Sequence, residues 1–223
     1  MFSPIVPVLS TVQNNRDHRK IVVIDGKTAF TGGINLADEY INKVERFGHW
    51  KDTGIMLKGE AVKSFTMMFL QNWNMTEQNW DNFGDYIVSD FPEIKDEAKS
   101  GYVIPYSDSP LDRENVGLNV YLDILYRAKK YVHIMTPYLI IDDEMKTALC
   151  YAAKRGVDVS IIMPHIPDKK YAFWLAHTYY AELIEAGVKI YEYTPGFVHA
   201  KVFVSDDIRA VVGSINLDYR SLF

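Results

Sequence analysis

His18-Arg-Lys20-Ile-Val-Val-Ile-Asp25 leads to Gly32-Gly33-Ile-Asn35, and His199-Ala-Lys201-Val-Phe-Val-Ser-Asp206 leads to Gly213-Ser214-Ile-Asn216. In both stretches His and Lys stand two apart, Asp follows Lys by five, and a Gly-Gly/Ser-x-Asn element comes after the same gap. Agreement at so many spacings marks an internal repeat, which governs the reading of the rest of the chain. Val, Ile and Phe after each Lys mark a strand. Residues i and i+2 of a strand project from one face, so His18 is expected to point with Lys20, and His199 with Lys201. Asp25-Gly26 is a tight-turn signal. Thr28 to Thr31 then returns as the partner strand and carries Asn35 back towards His18; in the second copy Asp206-Asp207 turns and Ile208 to Val212 returns.

Outward from the first copy, Asn35 with acids three and four residues on reads as a helix cap, whose free N–H groups would also suit a phosphate. Thr53 to Lys58 alternates as a strand. From Glu60 to about Met75, Ala61, Val62, Phe65, Met68, Phe69 and Trp73 follow helical spacing and read as a core stripe. Residues 1 to 15 read as irregular, and the charged, proline-bearing stretch from Asp90 to Ser100 as the boundary between two halves, 1–95 and 96–223.

The second half alternates strand and helix. Tyr102 to Pro105 is extended, Asn119 to Lys130 helical, Tyr131 to Thr136 strand, Asp143 to Arg155 helical, Val157 to Met163 strand, Lys169 to Glu185 helical and Val188 to Tyr193 strand. Gly156 and Gly187 stand where helices should stop. The expected fold class is α/β, with mixed, mostly parallel sheets flanked by helices.

Composition narrows the function. With 24 Lys+Arg against 29 Asp+Glu the net charge is −5, which gives no general attraction for nucleic acid. An anionic substrate must be met by local charge. A single cysteine, Cys150, excludes an internal disulfide and reads as a small core residue. No run reaches the roughly 20 apolar residues that span a bilayer. The start of the chain carries two prolines and no basic region, unlike a signal peptide.

Two His, two Lys and two Asn on converging faces suit phosphate esters. Ammonium and amide donors can hold the non-bridging oxygens while one imidazole attacks phosphorus and the other moves the proton. Neutral and protonated imidazoles coexist near neutrality because an unperturbed His titrates at about 6.5 and neighbours push two of them apart. No metal or other cofactor is required, and no zinc-type spacing or phosphate loop appears.

At this point the chain resembles the phospholipase D superfamily, through its doubled HxKxxxxD…G[GS]xN pattern. Gly32 to Tyr40, Trp50-Lys-Asp52-Thr, Glu185 to Tyr193 and Gly213 to Ser221 are similar to bacterial cardiolipin synthases. The resemblance runs from about Arg16 to Phe223. It implies two pseudo-symmetric halves with the active site at their interface, a phospholipid substrate, phosphatidylglycerol, met at a membrane surface, and a location at the bacterial cell membrane. Since such synthases carry N-terminal membrane segments and continue past the second motif, the chain reads as a piece cut at both ends.

The catalytic set implied by the resemblance is His18, Lys20, Asp25, His199, Lys201 and Asp206. Asn35, Asn216 and Ser214 bind substrate, and no nucleic acid partner is implied. Strand parity sets Asp25 opposite His18, so both motif aspartates are expected to fix hairpins. Asp52 is the better candidate for orienting the attacking imidazole, read as His18, with its counterpart for His199 falling beyond Phe223. His165, at a strand's C-terminal end, is a weaker pocket candidate, as is His49; His133 reads as a sheet residue. His177 lies on an aromatic helix that packs on the sheet or dips into lipid. The reaction the resemblance implies is phosphatidyl transfer through a phosphohistidine, two phosphatidylglycerols giving cardiolipin and glycerol; hydrolysis to phosphatidic acid, a nuclease, and an inactive fragment remain the alternatives.

Overall fold

A computed structural model describes residues 17–76, 80–91, 101–109 and 114–222; the expectations for residues 1 to 15 and for most of Asp90 to Ser100 fall outside them. Two β-hairpins built on the repeat lead its two larger sheets. β1 (Ile21–Ile24) pairs antiparallel with β2 (Thr28–Gly32), and β2 with β4 (Gly54–Lys58). β9 (Val202–Ser205) pairs antiparallel with β10 (Arg209–Val212). Both turns close alike: Lys27 N donates to Ile24 O and Ile208 N to Ser205 O, each at 3.0 Å. Asp25, Gly26, Asp206 and Asp207 all have φ between 51° and 63°, the primed turn geometry that matches strand twist and that Asp tolerates better than most side chains.

The second hairpin is the edge of a five-stranded sheet in the order β10-β9-β5-β6-β7, with β5 (Tyr131–Met135), β6 (Asp158–Pro164) and β7 (Lys189–Tyr193) parallel. Between them run α2 (Val116–Arg127), α3 (Asp143–Lys154) and α4 (Lys170–Glu185). The alternation expected over 119–193 is present. Asp142 caps α3 by accepting from Met145 N at 2.8 Å. Gly156 (φ 90°) and Gly187 (φ 100°) stop α3 and α4 in the left-handed conformation open to glycine. The core joins Val132, Ile134, Val159, Ile161 and Phe203 of the sheet to Leu125, Leu149 and Leu183 of the helices. Tyr102 to Pro105 pairs with no strand among the described residues and is largely exposed.

α1 (Ala61–Thr76) covers the first sheet with Val62 and Phe65 against Ala29 and Leu57. Its expected core stripe is only partly core: Phe69 is 49% and Trp73 44% exposed, stacked on each other at 6.1 Å, because a three-stranded sheet is too narrow to cover the helix's far flank. A short parallel pair joins the two parts of the chain, with β3 (His49–Lys51) beside β8 (Gly196–Val198). Among the described residues no helix is long and apolar enough to cross a membrane.

Candidate active site

The lead-in to β1 is fastened at Asp17, whose carboxylate accepts from Arg19 at 2.8 Å and from Asn72 of α1 at 2.9 Å. His18 to Lys20 precede β1, and His199 to Lys201 fill the gap between β8 and β9, so the His-x-Lys segments stand just ahead of the strands that were expected to contain them. Their carbonyls are engaged otherwise: Lys20 Nζ donates to His18 O at 2.7 Å, Lys201 Nζ donates to His199 O, and Lys201 O accepts from Gly213 N at 3.2 Å. Each lysine thus folds back over its own histidine.

Each histidine is oriented by a distant segment. His18 Nδ1 lies 3.2 Å from the Ser214 carbonyl oxygen. A carbonyl only accepts, so the ring proton sits on Nδ1 and Nε2 presents a lone pair. His199 Nδ1 lies 2.8 Å from Asp52 Oδ2, which likewise leaves Nε2 to face the site. The sequence reading set Asp52 beside His18. The parallel register His49↔Gly196, Trp50↔Phe197, Lys51↔Val198 instead brings it level with His199, and His199 N donates to Lys51 O at 2.8 Å. Thr53 N steadies the other carboxylate oxygen at 2.8 Å, and Trp50 Nε1 reaches Oδ2 at 3.4 Å. Gly33 is the gap that admits this pair, since a Cβ there would stand 2.1 Å from Asp52 Oδ1.

The expected cap at Asn35 is absent. The following turn is a short 3-10 helix, Asp38–Ile41, begun at Ala37 without a side-chain cap and closed by Asn42 in the left-handed region. Asn42 clamps the backbone of Trp50 (2.6 and 3.0 Å), which holds the turn too tight for a longer helix. Asn35 Nδ2 instead donates to Tyr40 OH at 2.5 Å. Tyr40 packs edge-on against His199 at 5.3 Å, with Trp50 on the same ring at 5.3 Å. Sequence reading passed over Tyr40 and Trp50 as site residues, although both stand in stretches that carry the resemblance. Asn216 is buried, its Oδ1 without a partner among the described residues, and Tyr121 OH holds the neighbouring Ile215 carbonyl at 2.9 Å. At Ser214 it is the backbone carbonyl that meets the His18 ring.

Electrostatics separate the two imidazoles. Loss of solvent around His18, then the Lys20 and Lys201 ammoniums, hold it down at about 4, against the pull of the Ser214 carbonyl. Burial also lowers His199, but there the Asp52 carboxylate opposes the shift. Asp52 would be raised by burial; the His199 hydrogen bond and Lys201 outweigh that and keep it below the usual carboxylate range. Burial drops Lys20 to about 8 and Lys201, 2% exposed, to about 7, with Asp52 opposing both. Two crowded ammoniums gain from an incoming anion.

The motif aspartates stand five positions beyond the lysines, about 17 Å away by strand rise. Asp25 is exposed in its turn. Asp206 accepts from the N–H groups of Lys129, Lys130 and Tyr131 at 2.8 to 2.9 Å and so fixes the start of β5. Both positions carry hairpin chemistry; the catalytic membership implied by the resemblance has no geometric counterpart there. Of the other histidines, His133 stacks on Tyr131 at 4.4 Å on an exposed face. His49 meets Tyr193 OH at 2.9 Å, and His165 and His177 share the two oxygens of Glu192. Cys150 is half-buried against the core. No three His, Cys, Asp or Glu among the described residues are grouped to hold a metal ion.

The doubled hairpins and the sheets they lead are those of a phospholipase D-like fold. Phosphatidylserine synthase of Haemophilus influenzae shares it, at TM-score 0.59 and 17% identity over 92% of this chain and 55% of that one. In sequence, residues 121–222 match the family described as cardiolipin synthase, PLD-like domain. A cardiolipin synthase of Geobacillus thermodenitrificans is 41% identical over 99% of this chain and 43% of its own length. An uncharacterized protein of Streptococcus mutans is 66% identical over the whole chain and 48% of its own length. The chain therefore has a phospholipase D-like fold and is similar to bacterial cardiolipin synthases, and it spans about half the length of the curated relatives it matches.

Proposed function

We propose that the protein transfers phosphatidyl groups between phospholipids at a membrane surface, joining two phosphatidylglycerols into cardiolipin and glycerol. The supporting observation is the unequal pair of imidazoles, His18 neutral with a free Nε2 and His199 backed by a carboxylate. His18 Nε2 attacks phosphorus, and the bond to the departing glycerol oxygen breaks as His199 Nε2–H protonates it. The hydroxyl of a second phosphatidylglycerol then gives its proton to His199 and attacks the phosphohistidine, whose P–N bond breaks to restore His18. Lys20, Lys201, Asn35 and Asn216 serve the non-bridging oxygens, with Ser214 placing His18. In this reading residues 1–95 and 96–223 are two halves that each supply one histidine and orient the other's.

Incubation with phosphatidylglycerol vesicles should yield cardiolipin and glycerol. His18→Asn should abolish covalent labelling of the protein by phospholipid. Phosphatidic acid as the sole product would convert the reading to hydrolysis, and labelling that survives on His199 would reverse the two roles.

A further inference from the structure

One carboxylate beside the site has no part in the chemistry above. β5 and β6 run parallel, with Met135 level with Ile162 and β6 running on to Pro164, and β9 lies antiparallel to β5 with Met135 opposite Val202, so Thr136 comes level with Lys201. Tyr138 follows directly from that end of β5, and Asp168 follows the end of β6 at Pro164. The ends of parallel strands are where α/β sheets receive ligands. The bridge between Leu139 and Leu217, with Ile140 N donating to Leu217 O at 2.9 Å, sets this segment against Asn216.

Tyr138 OH donates to Asp168 Oδ2 at 2.7 Å. The second oxygen, Asp168 Oδ1, is buried and has no hydrogen-bond partner among the described residues. A buried acceptor left unmatched is costly and calls for a donor. The charge of Asp168 is felt at both Lys201 and Tyr40, which, with the strand ends above, puts its free oxygen within reach of a group bound at the site. A phosphate oxygen is not a donor. An ammonium would stand near the Lys201 ammonium, which burial and the Lys20 charge already disfavour. A neutral hydroxyl meets neither objection.

Resting on the phosphatidyl-transfer reading, we propose that Asp168, held by Tyr138, is a substrate-binding residue that accepts a hydrogen bond from a hydroxyl of a polyol head group. It favours glycerol-type alcohols over water, simple alcohols and amines at the step that exchanges the alcohol on phosphorus.

The test is calorimetric titration of the whole chain with three soluble phosphodiesters: glycerophosphoglycerol, dimethyl phosphate and glycerophosphoethanolamine. The unmodified protein should prefer glycerophosphoglycerol. Asp168→Asn should reduce that preference about tenfold or more, as expected for losing a hydrogen bond to a charged acceptor, while dimethyl phosphate binding stays within about twofold and reports an intact site. Tyr138→Phe, which frees the carboxylate to rotate, should lie between. Equal weakening of all three ligands means that Asp168 acts through Lys201, and overturns the subsite. An unchanged preference, or a selective loss of the ethanolamine ligand, overturns it too. Binding of none of the three by the unmodified protein overturns the phosphate-ester reading and the subsite with it.

Discussion

At the scale of residues, the two histidines share a motif but not an environment. His18 has a carbonyl behind it and His199 a carboxylate, while the Lys20 and Lys201 charges bear on both. The carboxylate favours imidazolium, the form a proton donor needs, whereas a carbonyl only fixes the tautomer. Asp52→Asn should therefore lower the rate of phosphatidyl transfer by about 10²–10⁴-fold, the range seen when an orienting carboxylate is lost. The sign of the pH effect follows. Removing the anion lowers the pKa of His199, so the protonated form is lost at lower pH and the alkaline limb of the rate profile should move towards acid. The acid limb, set by His18 at about 4, should stay; an unmoved alkaline limb would mean that Asp52 does not act on the donor.

At the scale of elements, the hairpins explain why the motif is spaced as it is. The turn aspartates accept positive φ, and Asp206 additionally satisfies three backbone donors where α2 passes into β5. Asp206→Ala should cost about 2 kcal/mol in denaturant unfolding, because those N–H groups lose a charged acceptor and only part of their bonding is made good by water. The motif glycines are not alike in their surroundings. Gly33→Ala would drive a methyl into Asp52 Oδ1 and the His199 carbonyl, while at Gly213, whose counterpart in the first motif is Gly32, a Cβ would meet nothing within 4 Å among the described residues. Activity should collapse in Gly33→Ala with secondary structure retained by circular dichroism, and survive in Gly213→Ala. Equal behaviour of the two variants would show that the close approach at Gly33 does not matter. These elements were legible early: strand–turn–strand spacing, the βα alternation of 119–193 and the stop glycines are local properties of backbone and side chain. The cap at Asn35 was misread, since Asn next to acids signals a helix start only if the helix has room to continue, and Asn42 closes it within one turn.

For the whole molecule, a net charge of −5 and two lysines confined to one site make attraction for a polyanion local rather than general. Duplex DNA titrated at low salt should bind negligibly, with no measurable slope against salt concentration; tight, steeply salt-dependent binding would favour nuclease chemistry instead. The joint between the two parts is narrow, the parallel pair β3–β8 with Trp50 among Tyr40, Phe47, Phe197 and His199. It is this joint that decides which carboxylate meets which imidazole.

By itself, the order of residues determined the repeat, the hairpins, the α/β alternation and the choice of His18, Lys20, His199 and Lys201, because each follows from spacing along a strand or turn and from the chemistry of the side chain. Only the tertiary structure decided the pairings: Asp52 with His199, the Ser214 carbonyl with His18, Asp168 with Tyr138. Partners 147, 196 and 30 residues apart are joined by sheet register and by the ends at which strands meet, and no local pattern encodes a register between strands that are remote in the chain.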